Sequence, residues 1–114
     1  MIRFIPHHGD LMGLTTNENH LVFRWLEDGC RVLFSVARHG RAASCHLASD
    51  KASLRFLRRA INDFAEFVFY LFDWCRVIMV ATEGSRFERI LFDCGFSELA
   101  GNDSDSVYMR PCNG

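Results

Sequence analysis

Apolar side chains recur at alternating spacings of three and four from Leu54 through Leu57, Ile61, Phe64 and Val68 to Leu71. That period gathers them on one side of an α-helix. Ser49 and Asp50, just ahead of the run, are residue types that cap helix N-termini. Arg55, Arg58, Arg59, Asn62, Asp63 and Glu66 fall on the other sides, with Arg59 and Asp63 spaced to pair across one turn. Beyond Glu66 the segment Phe67-Val68-Phe69-Tyr70-Leu71-Phe72 is apolar all round. Either a sheet covers this end of the helix or it offers an aromatic surface to another chain.

Elsewhere the pattern shortens to strands. Val32, Phe34 and Val36 alternate with Leu33, Ser35 and Ala37, Arg38-His39-Gly40-Arg41 makes a tight turn, and Ala42 to Leu47 returns. Residues 31–47 therefore read as a β-hairpin. Val77 to Ala81 is a continuous apolar run, the mark of a strand covered on both faces. Ile2 to Ile5 is a short first strand stopped by Pro6. A short helix is expected over His20 to Leu26, capped by Asn17 or Asn19 and ended by Asp28-Gly29, because Leu21 with Trp25 and Val22 with Leu26 are four apart. Ser85 with Glu88 forms a capping box for a last helix, and Gly95 ends it as a C′ residue of positive φ. Phe96 to Leu99 and Ser106 to Met109 make a closing hairpin around Gly101-Asn102-Asp103. The order predicts an α+β fold with a mixed sheet: about six short strands, a long central helix and two shorter ones, with residues 1–114 forming one domain. Repeats, low-complexity stretches and linkers are not evident.

Composition narrows the class. At 114 residues, 49% hydrophobic and 24% charged, the chain matches folded globular domains. Thirteen basic against 14 acidic residues leave a net charge of −1, which argues against a general nucleic-acid binder. All the basic residues but Lys51 are Arg, suited to fixed ion pairs. Cys30, Cys45, Cys75, Cys94 and Cys112 are odd in number and lack CxxC spacing, so buried free thiols are expected rather than disulfides or zinc. The longest apolar run is far short of the about 20 residues that a membrane helix needs, and the N-terminus lacks a signal-like apolar stretch. A soluble intracellular protein is expected.

The segment Ser85-Arg86-Phe87-Glu88-Arg89-Ile90-Leu91-Phe92-Asp93-Cys94-Gly95-Phe96, followed by a strand ending Val107-Tyr108-Met109, resembles the C-terminal part of GNAT-type acyl-CoA N-acyltransferases. There a buried strand precedes a short helix, a Gly-Phe pair and a closing hairpin. The resemblance covers roughly residues 75 to 110 and extends weakly to residue 42. It implies a long helix entered through a glycine loop whose N–H groups approach the coenzyme A diphosphate. Here that segment is Leu47-Ala48-Ser49-Asp50-Lys51-Ala52-Ser53, with no glycine and a carboxylate. Gly40 lies too early, in the hairpin turn. Active members often carry a Tyr four residues before the Gly of Gly-Phe as general acid; that position is Leu91.

The chain also resembles small internal-virion or head-assembly proteins of short-tailed bacteriophages, through Ala48-Ser49-Asp50, the helix carrying Phe56-Leu57-Arg58, an apolar strand, and an Arg-Phe helix ending in Cys94-Gly95. Together the two resemblances imply a non-enzymatic head-assembly or internal virion protein on a degenerate acetyltransferase-like fold. Such a protein has no catalytic residues and no cofactor, contacts other virion or host proteins, forms homo-oligomers, and resides in the virion or host cytoplasm. An active small N-acetyltransferase with an atypical diphosphate loop is the alternative; an inhibitor of a host protein is a third reading.

Candidate chemistry is sparse. His7, His8 and Asp10 suit a surface turn better than a chelate, since neighbours on a strand point apart. Cys45-His46 with Cys94 or Cys30 has nucleophile and base types, but the spacing does not assemble them. Asp103 and Asp105 lack a calcium-loop pattern. Arg38, Arg41, Arg55, Arg58 and Arg59 are a candidate anion patch, against which Asp63 and Glu66 argue for self-neutralisation. Phe67, Phe69, Tyr70 and Phe72, with Trp74, are a candidate partner surface.

Overall fold

The computed structural model describes residues 2–5, 14, 20–83, 87–101 and 105–112. Seven strands form one mixed sheet: β1 (Ile2–Ile5), β2 (Leu21–Glu27), β3 (Cys30–His39), β4 (Ala42–Ser49), β5 (Val77–Glu83), β6 (Ser97–Gly101) and β7 (Asp105–Pro111), in the order β1-β2-β3-β4-β5-β7-β6. Strands β1 to β4 run antiparallel in sequence order. The long helix α1 (Leu57–Leu71), entered through a 3-10 turn (Lys51–Phe56), carries the chain back so that β5 lies parallel to β4. A short helix α2 (Glu88–Asp93) leads into the β6–β7 hairpin, and β7 pairs with β5.

The core forms between α1 and one face of the sheet. Leu57, Ala60, Ile61, Phe64, Ala65 and Val68 of α1 pack on Phe23, Trp25, Val32, Phe34, Val36, Ala43 and Cys45 of β2, β3 and β4. Leu57, Ile61, Phe64 and Val68 belong to the three-four stripe of the sequence, which the apolar face of the sheet draws down, whereas Leu71, its last member, is exposed. The rings of Phe34 and Phe64 stack at 4.0 Å between centroids, 6° from parallel. Trp25 is fully buried, and its indole Nε1–H donates to Asp63 Oδ2 at 2.9 Å. A smaller cluster on the opposite face joins Leu14, Val22 and Leu33, with Ile5 and Ala48 beside them. None of the described helices is long and apolar enough to cross a membrane.

One expected helix is a strand. Residues 21–27 pair with both β1 and β3. Four-residue spacing also fits a strand, whose alternate positions share a face. Here Phe23 and Trp25 enter the main core while Val22 joins the opposite cluster. Asp28 and Gly29 are a two-residue hairpin turn, with φ of 54° and 76°. Positive φ at both central residues is what a type I′ turn needs, and Asp-Gly supplies it. Strand β5 is covered less evenly than expected: Ile78 and Val80 are buried, Met79 is half-buried and Ala81 is exposed. Ser85, half of the expected capping box, lies outside the described residues, as do Asn17, Asn19 and the turn at Asn102-Asp103. Gly95 follows α2 with φ of 87°.

Candidate functional site

Parallel pairing between β4 and β5 covers only Ala42↔Val77 to Cys45↔Val80. Past this point β4 stays paired with β3 as far as Ser49, and β5 stays paired with β7 as far as Glu83. The two central strands therefore separate in the middle of the sheet, and residues 46–49 and 81–83 carry no pairing to each other. Strand edges left in this way present backbone N–H and C=O groups to whatever enters. Under the start of the opening Phe34, Cys45, Leu47, Ile61, Phe64 and Val80 line an apolar cavity of about 10 Å³, room for about one water.

Two neighbouring residues at the fork point in opposite directions. Cys45 is buried in the main core, where desolvation, with Cys75 adding to it, pushes its thiol well up. Such a thiol is not a nucleophile. His46 turns to the other face, where its ring meets that of His20, with centroids 6.0 Å apart. Partial burial, then His20, lowers the His46 pKa below 6.5, so the imidazole is neutral at pH 7. Cys94 likewise stays in the core, its Sγ–H donating to the Arg58 carbonyl, and Cys30 is buried. The candidate nucleophile–base combination is thus not assembled, and what remains is a histidine pair beside the fork.

The open end of the fork runs into the segment that enters α1. Asp50 caps that segment itself: its Oδ1 accepts the Ser53 N–H at 2.8 Å. Hydrogen bonds from the Ser53 side chain and backbone hold the Asp50 carboxyl below its ordinary range. Ser53 Oγ accepts the Arg31 N–H at 3.0 Å, tying the segment to β3.

The candidate anion patch divides. Arg38 and Arg41 lie at the β3–β4 turn, near the C-terminal end of α1, where they line a shallow depression with Asp73, Trp74 and Arg76; the Arg38 guanidinium stacks 4.8 Å from the Trp74 ring. Arg55, Arg58 and Arg59 lie at the other end of a helix 15 residues long, about 22 Å away. Arg58 pairs with Asp93 at 2.8 Å and Arg59 with Glu27 at 2.6 Å, while Arg55 covers the Phe56 ring. Asp63 serves Trp25 instead of Arg59. In the aromatic segment Phe67, Phe69 and Phe72 pack against the core, and Tyr70 projects, 87% exposed. Leu91, at the general-acid position, is fully buried, and Tyr108 is buried against Phe92. His7, His8, Asp10 and Asp103 lie outside the described residues, as does the Asp105 side chain. Among the described residues no three His, Cys, Asp or Glu side chains gather as metal ligands.

The fold recurs in solved structures. A Bacillus subtilis acetyltransferase in complex with CoA superposes with a TM-score of 0.76 at 11% identity, over 97% of each chain. A variant of spermidine N-acetyltransferase SpeG from Vibrio cholerae gives 0.70 at 12% identity, over 83% of this chain and 67% of that one. Campylobacter jejuni N-acetyltransferase PseH in complex with acetyl coenzyme A gives 0.70 at 7% identity, over 83% of this chain and 70% of that one. The fold is GNAT-like. No protein-family model matches the sequence, and no curated protein matches it. The GNAT-like architecture agrees with the expected fold, whereas the expected non-enzymatic virion role is overturned. These three solved proteins are acetyltransferases, one holding CoA and one acetyl coenzyme A. The absence of activity was expected from the glycine-free segment and from Leu91, yet β4 and β5 separate with both in place. His46, named in the sequence only as a partner for Cys45, lies one residue past the last β4 position paired with β5.

Proposed function

We propose that this chain is a small N-acyltransferase that moves an acyl group from a pantetheine thioester, such as that of acetyl-CoA, to an amine. The observation that carries this reading is the separation of β4 and β5 after four pairs. A pantetheine arm has two amide groups in an extended chain, so it can lie between the strands as a short extra strand, bonded through main-chain groups. The thioester then lies at the fork, beside His46.

Direct transfer needs little more. The amine nitrogen attacks the thioester carbonyl carbon, the new C–N bond forms, and the C–S pair leaves on sulfur as thiolate. His46, neutral at pH 7, takes the proton that the nitrogen must lose. That proton passes through solvent to the thiolate, so amide and free thiol are the products. Holding amine and thioester together supplies much of the acceleration.

The test is turnover. Purified protein is incubated with acetyl-CoA and a panel of amines that includes polyamines, amino sugars and peptide N-termini. Free thiol should appear in step with acetylated amine, by colorimetry and mass spectrometry, and faster than without protein. Thiol release with no acetylated product would reduce the activity to hydrolysis and defeat the reading.

A further inference from the structure

We infer that the donor is recognised through its pantetheine arm and not through a nucleotide diphosphate. This rests on the acyl-transfer reading above. Any donor lying in the fork with its thioester at His46 must leave past the ends of β4 and β5, where the strands are furthest apart. Asp50, directly after the last residue of β4, marks that end. Asp50 is ionised at neutral pH, its carboxyl held below 3.8 by Ser53.

One backbone donor there is already committed. A diphosphate is gripped when several N–H groups converge on it and the chain can come close. In this chain the Ser53 N–H goes to Asp50, by 2.8 Å to the carboxylate and 3.2 Å to the carbonyl. The Ser49 hydroxyl donates to the Asp50 carbonyl at 2.9 Å, and Ser53 Oγ holds the Arg31 N–H. Every residue from Ala48 to Ser53 carries a Cβ. The cap thus places the chain's own carboxylate where an incoming anion would need donors. Among the described residues, Arg31 and Lys51 are basic residues at this end; Arg31 faces Asp50, and Lys51 is a single exposed ammonium. Neither forms the converging fork that a diphosphate needs.

The arm meets no such obstacle, because its amides need only the strand edges at residues 46–49 and 81–83. The substrate class is therefore an acyl thioester of pantetheine with little or no phosphate charge. Two sources share that chemistry: a small acylpantetheine, and a phosphopantetheine arm attached by one phosphodiester to a carrier protein.

The experiment compares donors with one acyl group and one amine: acetyl-CoA, S-acetylpantetheine, and an acetylated phosphopantetheine arm on a purified acyl carrier protein. In parallel, calorimetry measures binding of CoA and of pantetheine as free thiols. Acetylpantetheine should match acetyl-CoA in kcat/KM within about tenfold or exceed it. A carrier-bound arm better than both identifies the protein-borne source, and parity identifies the small thioester. Asp50→Asn, which keeps an oxygen for the Ser53 N–H and removes the charge, should move the donor ratio several-fold towards acetyl-CoA. Acetyl-CoA preferred by 100-fold or more over acetylpantetheine, in the wild type, would overturn the inference and leave acyl transfer standing. Pantetheine that binds as well as CoA, with no turnover of any donor, would keep the inference and sink the acyl-transfer reading. Binding of CoA alone, or of neither thiol, overturns the inference even without turnover.

Discussion

Partial burial and the neighbouring His20 ring both disfavour the imidazolium form of His46. The consequence has a definite sign. A lowered pKa keeps the neutral, proton-accepting form dominant at pH 7 and extends it below pH 6.5, so activity should persist there and fail only as pH falls through the lowered value. His46→Gln keeps a polar side chain of similar reach and removes the titration. Turnover should drop by about 10²- to 10⁴-fold, the range of a general base, and the acid limb of the pH profile should vanish. A variant that is slower but keeps the same acid limb would assign the titration to another group. Cys45, one residue earlier, shows how sharply strand alternation separates roles: its thiol is buried and held protonated. Alternation itself was legible in the sequence. Which face would lie beside an opening was not, because that depends on β5, 32 residues further on and paired through Cys45↔Val80.

At the scale of elements, the C-terminal end of α2 and the β2–β3 turn test how local chemistry sets backbone shape. Gly95 has φ of 87°, and a Cβ built there would meet only the Arg110 side chain, at 3.6 Å. Space is adequate, so backbone strain decides. Gly95→Val should cost at least about 1 kcal/mol, since β-branched residues are poor at positive φ, whereas Gly95→Asn should cost less. Equal melting temperatures for the two variants would show that φ is not the cause. This C′ glycine, the Asp50 cap, the β3–β4 hairpin and α1 were legible because each is fixed by neighbours within a few residues. Strand β2 was not. Its apolar spacing satisfies a helix and a strand alike, and Asp-Gly both stops helices and turns hairpins. Pairing with β1 and β3 resolves the ambiguity.

For the molecule as a whole, the deciding feature is the separation of β4 and β5. The apolar alternation of β4 runs on without a break past Cys45, so nothing in the local pattern marks where pairing ends. Side chains from β3, β4, β5 and α1 line the space beneath the fork, with Phe64 of α1 stacked on Phe34 of β3 at 4.0 Å. Phe64 is 3% exposed. Phe64→Ala should therefore cost about 3–5 kcal/mol, combining lost transfer energy with the cavity left behind. At about 4 °C per kcal/mol for a chain of this size, the melting midpoint should fall by about 12–20 °C. Tyr70→Ala removes a ring from the same helix at a position 87% exposed, and its effect should stay within about 0.5 kcal/mol. The pair of variants separates filling beneath the fork from a general need for aromatic residues on α1. If both variants melt alike, the Phe34–Phe64 stack does not brace the fork. If Phe64→Ala alone is destabilised, and an apolar additive such as benzene restores part of the loss, the space beneath the fork is what the ring maintained.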